Sequence, residues 1–141
     1  MKGFRFQLDN SAKILARRCL ENGGAVQKYV DSEVLRLSEP YTPHLTGALS
    51  KSAQATTILG NGEVKWNTPY ARYLYHGKLM VSPSTGSSWA KKNEKKVLAN
   101  APLSYHGGGK RGKMWFERMK ADHRNKILQG AAKIAGGRTG T

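Results

Sequence analysis

Histidine, cysteine and carboxylate side chains are the groups of this 141-residue chain that could hold a metal ion or act in catalysis. The four histidines are His44, His76, His106 and His123, and Cys19 is the single cysteine. No two of these histidines stand at i, i+4 or at another spacing that is typical of zinc ligands. The sequence therefore predicts no metal centre.

Nucleophilic catalysis would need a serine or cysteine together with a histidine and an orienting acid. Asp122 and His123 are adjacent, and adjacent side chains on a helix point in different directions, so they do not form a dyad. The glycine clusters lack the GxxxxGK[ST] pattern of a phosphate-binding loop. We therefore predict that the protein is not an enzyme and has no catalytic residues.

Basic and aromatic residues are interleaved at two places in the second half of the chain. Basic side chains in such a pattern can bind a phosphate backbone while the aromatic rings stack on bases, and an exposed tryptophan can equally anchor an interface. The alternative is that the aromatic residues begin the core face of a helix while the lysines solvate a surface. The candidate interface or DNA-facing residues are Trp89, Lys91, Lys92, Lys95, Lys96, Lys110, Arg111, Lys113 and Trp115.

The net charge of +15 is unevenly distributed. Residues 1–60 carry 8 basic and 5 acidic side chains, a net charge of +3, whereas residues 61–141 carry 16 and 4, a net charge of +12. This field favours a polyanion or an acidic protein as partner. A lone cysteine, no long apolar run and an N-terminus without a signal-peptide pattern predict synthesis in the cytoplasm and no membrane span.

The aromatic stretch Val64–Gly77 is the centre around which the elements are expected to assemble. The glycines of Gly60-Asn61-Gly62 favour a tight turn, so residues 55–68 are expected to form a β-hairpin. Pro69 then begins a helical turn over Tyr70–Tyr75, with Asn67 or Thr68 as its cap and Gly77 as its end. Tyr70, Tyr73 and Leu74 are expected on one face of this turn.

Before this centre, the pattern predicts mostly helix. Phe4–Leu8 alternates like a strand or an extended arm, and Asp9, Asn10 or Ser11 can cap a helix that reaches about Glu21. A second apolar stripe runs from Val26 to Leu37, and the two stretches form either one kinked helix or two helices. A short helix over 48–54 follows, with Thr46 as its cap.

After the centre, residues 78–112 are expected to form a long extended loop region with short strands at 79–81, 95–99 and 103–105. The closing helix runs from Met114 to Ala135 on a stripe of six residues, and 137–141 is a tail. The stripe consists of Phe116, Met119, His123, Ile127, Ala131 and Ile134. The chain is thus predicted to be one α+β domain over residues 1–141, with a small antiparallel sheet.

Three stretches in this order resemble the minor capsid proteins of tailed phages that infect Gram-positive bacteria. They are PYTPHLTGALSKSA at 40–53, WNTPYARYLYHGK at 66–78 and WFERMKADHRNKILQGAAKIAG at 115–136. More loosely, the chain looks like tail-completion and head–tail joining proteins. Two departures from that looser group favour the minor capsid subgroup: Tyr75-His76 where many members carry an acidic residue, and Trp115-Phe116 where many carry Pro-Phe.

The resemblance implies a structural virion protein of α+β fold, located in the neck between head and tail, without catalysis or cofactor. It implies a homo-oligomeric ring, with a hexamer favoured, and contacts with portal or adaptor proteins and with tail proteins. The positive charge suits a channel through which phage DNA passes or an acidic neighbouring ring. The competing hypothesis is a free nucleic-acid-binding protein that uses its basic C-terminal half.

Overall fold

The computed structural model describes residues 10–136, in which five α-helices and two β-strands form an α+β fold. This confirms the predicted fold class with its small antiparallel sheet and long closing helix. The helices are α1 (Ser11–Arg17), α2 (Ala25–Ser38), α3 (Ala48–Thr56), α4 (Ala71–Tyr75) and α5 (Trp115–Ile134). The strands are β1 (Lys78–Val81) and β2 (Val97–Pro102), and a single 3₁₀ turn covers Glu39–Tyr41.

The N-terminal helical stretch consists of two helices, which decides between the two alternatives left open by the sequence. Asn10 caps α1 through a hydrogen bond from the Lys13 amide to Oδ1, and α1 ends before Cys19, which has a positive φ of 56°. The expected strand or arm at Phe4–Leu8 and the tail at 137–141 lie outside the described residues. Arg18 donates to the carbonyls of Ala135 and Gly136, so a cation satisfies the C-terminal end of α5.

The core forms where α2 packs against α5. The two helices run in opposite directions, since Tyr29 lies against Gly130 and Tyr41 reaches Asp122. Seven buried side chains form one cluster between these helices, α3 and α4, and they are Leu37, Tyr41, Leu49, Ala71, Trp115, Met119 and Ile127. The middle of the α5 stripe packs against the core as the pattern predicts, whereas Ile134 at its end is exposed.

Gly130 lies inside the continuous helix α5, at a position where α5 contacts α2 closely. A Cβ at this position would lie 1.9 Å from the hydroxyl oxygen of Tyr29 and 2.4 Å from its ring carbon. Glycine lowers the intrinsic stability of a helix interior by about 1 kcal/mol relative to alanine. Here that cost accompanies a close contact with the Tyr29 side chain of α2, which would have to shift to accommodate a larger residue at position 130.

The β-hairpin expected over residues 55–68 does not form. Helix α3 continues to Thr56, so the backbone groups of the expected first strand are used in a helix. Threonine hydroxyls join the two segments instead: Thr56 Oγ1 donates to the Lys65 carbonyl at 3.0 Å, and the Lys65 amide donates to Thr57 Oγ1 at 3.3 Å. A turn does form at residues 60–62, but the positive φ angles belong to Gly60 and Gly62 and not to Asn61.

The strands of the sheet lie later in the chain. β1 and β2 pair antiparallel, with Met80 opposite Leu98 and Val81 opposite Val97, and the pairing is irregular between Lys78 and Met80. The predicted strand at 79–81 is confirmed, and the one at 95–99 is shifted towards Pro102. Residues 103–105 are not a strand.

The helical turn α4 is confirmed, but its expected side-chain cap is wrong, and of the three residues expected on one face only Leu74 packs against the core. Tyr70 and Tyr73 are exposed, whereas Ala71 is buried and Tyr75 packs against Trp115 with 4.8 Å between ring centroids. The reason is that α5 begins beside α4, where the Met114 amide donates to the Tyr75 carbonyl at 2.9 Å. No side chain caps α4, whereas Gly77 ends it with a φ of 69° as expected.

The other two helix predictions hold closely. α5 matches its predicted span to within a residue at each end, and α3 matches at its start and runs two residues further. Thr46 Oγ1 lies 3.4 Å from the Ala48 amide, although Gly47 is the N-terminal cap residue of α3. None of the helices within residues 10–136 has the length and apolar character that crossing a membrane requires.

Candidate functional site

The nine candidate surface residues fall into two regions of the structure. Trp89 and four lysines lie on what we call the basic arm, residues 78–102, which consists of β1, a connector over 82–96, and β2. The other four lie on the approach to α5. The two groups differ, because the first is exposed to solvent and most side chains of the second make contacts within the chain.

The basic arm presents all five of its candidate residues to solvent. The side chain of Trp89 is 85% exposed, which is unusual for a residue that buries so much apolar surface when it is covered. Four exposed lysines follow it closely, and they are Lys91, Lys92, Lys95 and Lys96. The basic arm thus carries a large exposed aromatic surface and four exposed positive charges within eight residues of the chain.

A carboxylate holds the connector of the arm in shape. Glu94 Oε1 accepts hydrogen bonds from the hydroxyls of Ser82 and Ser84, both at 2.7 Å, and Oε2 accepts from the Lys91 amide at 2.9 Å. The Ser84 hydroxyl, then the Lys91 amide and the Ser82 hydroxyl, lower the pKa of Glu94 to about 2. The segment that carries Trp89 is therefore closed into a loop.

We expect the arm to keep its shape in acid far below the ordinary glutamate pKa. The folded pKa of about 2 lies below the unfolded value of 4.5, so the stabilisation by Glu94 is complete above pH 4.5 and is lost as the pH falls towards 2. Glu94→Gln should loosen the loop above about pH 4.5, where the wild-type carboxylate is ionised, seen as faster hydrogen exchange of the Ser84 and Lys91 amides. A Glu94 carboxyl that titrates near 4.5 by NMR would contradict this.

The strands of the arm are poorly covered. Val97 and Leu98 of β2 are exposed, and β1 packs against the short helix α4. A two-stranded hairpin is marginally stable by itself in water and normally needs a further strand or a helix on its face. Exposed apolar residues on such a hairpin are typical of a surface that another protein covers.

Trp115 is not a surface residue, which corrects the sequence-based assignment. Its side chain is 1% exposed and lies edge-on to Trp66 and Tyr75, at centroid distances of 5.8 and 4.8 Å. The alternative considered for it, the start of the core face of α5, is the one that the fold adopts. The reason is that α5 begins against α4, so its first residue points inward.

Arg111 likewise makes contacts within the chain. Its guanidinium donates to the carbonyls of Glu39 and Thr42 and pairs with the Glu39 carboxylate at 3.1 Å. Lys110 lies over the Tyr41 ring, with Nζ 5.2 Å from the centroid and 3.9 Å from the Asp122 carboxylate. These contacts hold the glycine-rich loop against the end of α2. Lys110 and Lys113 nevertheless keep exposed side chains that a partner can reach.

Asp122 and His123 meet at one tyrosine, although they are adjacent. The Tyr41 hydroxyl donates to Asp122 Oδ2 at 2.5 Å and lies 3.3 Å from His123 Nε2. The hydrogen bond from Tyr41 lowers the pKa of the Asp122 carboxyl. This cluster fastens the 3₁₀ turn to α5. Among residues 10–136, no three His, Cys, Asp or Glu side chains come together in a group that could hold a metal ion.

The sequence did not predict an apolar groove of about 610 Å³ beside the core. It opens between α2, the 62–66 segment, α4 and the start of α5. Its apolar walls include Val30, Val34, Val64, Trp66 and Phe116. The valine stripe of α2 was the available signal, but periodicity indicates a buried face and cannot tell whether the chain covers all of it.

Comparisons with known proteins give one match. No curated protein and no solved structure matches the chain. The family model described as minor capsid protein matches residues 13–133, which include α2 to α4, the whole basic arm and all of α5 except its last residue. Proteins of this family are structural components of phage particles. The chain therefore belongs to the minor capsid protein family, and its place is in the virion.

Proposed function

We propose that this minor capsid protein is a subunit of the head–tail neck and works by assembling there as a homo-oligomeric ring, with a hexamer favoured. The observation that carries the proposal is the basic arm. It exposes Trp89, Val97 and Leu98 on a hairpin that has little packing of its own. Such a surface suits a contact with another subunit, because covering it removes apolar area from water and stabilises the hairpin.

The neighbours in this proposal are portal or adaptor proteins on one side and tail proteins on the other. The lysines of the arm suit an acidic neighbouring surface or the passing DNA. A phage that lacks this protein should then yield separate heads and tails, and added protein should restore joined particles. Joined particles in its absence, or particles from which the protein is missing, would exclude the neck.

Free nucleic-acid binding is the second candidate, favoured by the net charge of +12 on residues 61–141. It predicts tight binding to a short DNA duplex with a steep salt dependence, because each neutralised phosphate releases counterions. Light scattering at two salt concentrations, with and without the duplex, separates the candidates. A ring, or a monomer that ignores DNA at moderate salt, favours the neck. A monomer with strongly salt-dependent binding favours the alternative.

Replacing Lys91, Lys92, Lys95 and Lys96 by glutamate should block assembly and leave folding unchanged. All four side chains are exposed, so we expect the free energy of unfolding to change by less than about 0.5 kcal/mol per site. The inverted charge should repel an acidic neighbour or DNA, and joined particles should fall at least tenfold. Particle counts from complementation of the deletion measure this effect.

The matched control makes the same change of charge elsewhere, at Lys13, Lys51, Lys126 and Lys133, which are exposed on α1, α3 and α5. Both variants lower the net charge from +15 to +7. If the arm carries the contact, the control should still assemble. Equal loss of assembly in both variants would mean that net charge, rather than the arm, controls assembly. Unchanged assembly of the arm variant would show that the lysines of the arm do not form the contact.

A further inference from the structure

The apolar groove is open in the single chain although its walls are of core type. Val30, Val34, Trp66 and Phe116 are half-buried and pack against the core cluster with one side. A concave apolar site of about 610 Å³ has the size and lining of a site that holds a bulky side chain or a small ligand. No side chain of residues 10–136 fills it.

Trp89 is a side chain of the kind that such a groove takes. It is the most exposed of the large apolar side chains of the described part, and its connector is closed by the Glu94 hydrogen bonds. Tryptophan held on an ordered loop is a typical interface anchor, because it covers a large area and loses little conformational entropy on binding. The groove and this anchor are different surfaces of the same chain.

The charges around the two surfaces are complementary. Residues 61–141 contain four acidic residues, and two of them, Glu63 and Glu117, directly neighbour the groove residues Val64 and Phe116. Both carboxylates are exposed, and their pairs with Lys65 and Lys120 are surface pairs, which bind weakly. Arg72 and His76 also line the groove, so Glu63 and Glu117 are the groups that we expect the lysines of an incoming arm to approach.

We propose that Trp89 of one subunit inserts into the apolar groove of the neighbouring copy, with Lys91 and Lys92 beside Glu63 and Glu117. This inference rests on the ring assembly proposed above and names the contact that builds it. Because anchor and groove are different surfaces, the contact is head-to-tail. A head-to-tail contact repeats from copy to copy and closes into a ring when the rotation allows.

Two single variants each remove one half of this contact. Trp89→Ala removes the anchor, and Val64→Arg places a charge in the groove at a wall residue that is not packed against the core cluster. Sedimentation over a range of concentrations should show self-association of the wild type. Each variant should bind itself at least tenfold more weakly, with thermal unfolding near that of the wild type. Trp89→Phe should lose less than Trp89→Ala.

An equimolar mixture of the two variants gives the decisive result. Trp89→Ala keeps its groove and Val64→Arg keeps its anchor, so the mixture should form a heterodimer of twice the 15.5 kDa chain mass and grow no further. Wild-type assembly that survives in Trp89→Ala would overturn the inference. A mixture that stays monomeric would also overturn the inference. A loss of assembly in the single variant Leu15→Lys would overturn it as well, because it would assign the contact to the exposed face of α1.

The same measurements separate this inference from the neck proposal. A wild-type chain that stays monomeric at every concentration contradicts the groove contact. The neck proposal survives that result if the chain is found in particles and restores joined heads and tails. A chain absent from particles contradicts the neck, whatever its association in solution.

Discussion

Trp115→Ala should lower the free energy of unfolding by about 3–5 kcal/mol, the range measured when a large aromatic side chain is removed from a core. Trp115 is 1% exposed, and its ring contacts Trp66 and Tyr75 on two sides. Removing it leaves a cavity where α5 meets α4, and the walls of the groove lose their support. Denaturant unfolding followed by circular dichroism measures the effect.

Trp89→Ala is the internal control for this prediction. The same chemical change at a side chain that is 85% exposed should alter the free energy of unfolding by less than about 0.5 kcal/mol. Trp115→Phe keeps most of the ring volume and should lose markedly less than the alanine variant. Similar losses at Trp89 and Trp115 would mean that the assignment of one residue to the core and the other to the surface is wrong.

Asp31→Ala should lower the free energy of unfolding by about 1–3 kcal/mol, because it leaves the buried Gly60 amide without an acceptor, whereas the Gly62 amide is exposed and can bind water instead. Asp31 is 3% exposed on α2, and Oδ2 accepts from the amides of Gly60 and Gly62 at 2.8 and 3.1 Å. Gln27 Nε2 donates to Oδ1 at 2.8 Å. One carboxylate therefore ties the glycine turn to α2, beside the groove.

Asp31→Asn keeps an oxygen for the two amides and separates acceptor geometry from charge. We expect it to retain more than half of the stability that Asp31→Ala loses, since Gln27 can reverse its amide to accept the new N–H. Glu63→Ala, at an exposed carboxylate of the same turn, is the surface control. An alanine variant at Asp31 as stable as this control would show that the turn is held by other contacts.

The long helices are elements that the sequence determined by itself. The stripe from Phe116 to Ile127 and the glycines at 136–137 are local patterns, and α5 begins and ends within a residue of the prediction. α3 begins where predicted and ends two residues later, whereas the strand expected at 103–105 does not form. The family resemblance rests on motifs of the same local kind, and the family match over residues 13–133 confirms it.

The strands show why local pattern was insufficient. Three of the five residues at 55–59 are β-branched and favour a strand, yet α3 extends through Thr56 because Leu49 and Ala53 are buried against the core. Whether a segment with β-prone residues forms a strand depends on a neighbouring strand with which it can pair, and tertiary packing determines whether such a strand is available. β2 was harder to predict because Val97 and Leu98 do not face the core of their own chain.

Of the candidate surface residues, the sequence by itself indicated that the four lysines of the basic arm are exposed, because unpaired lysines are almost never buried, and it left the exposure of Trp89 open. Only the tertiary structure decided that Trp115 is buried, that Arg111 holds Glu39 and Thr42, and that an open groove lies beside α2. The physical reason is that burial and hydrogen-bond partners depend on residues far away in sequence, as Trp66 lies 49 positions before Trp115.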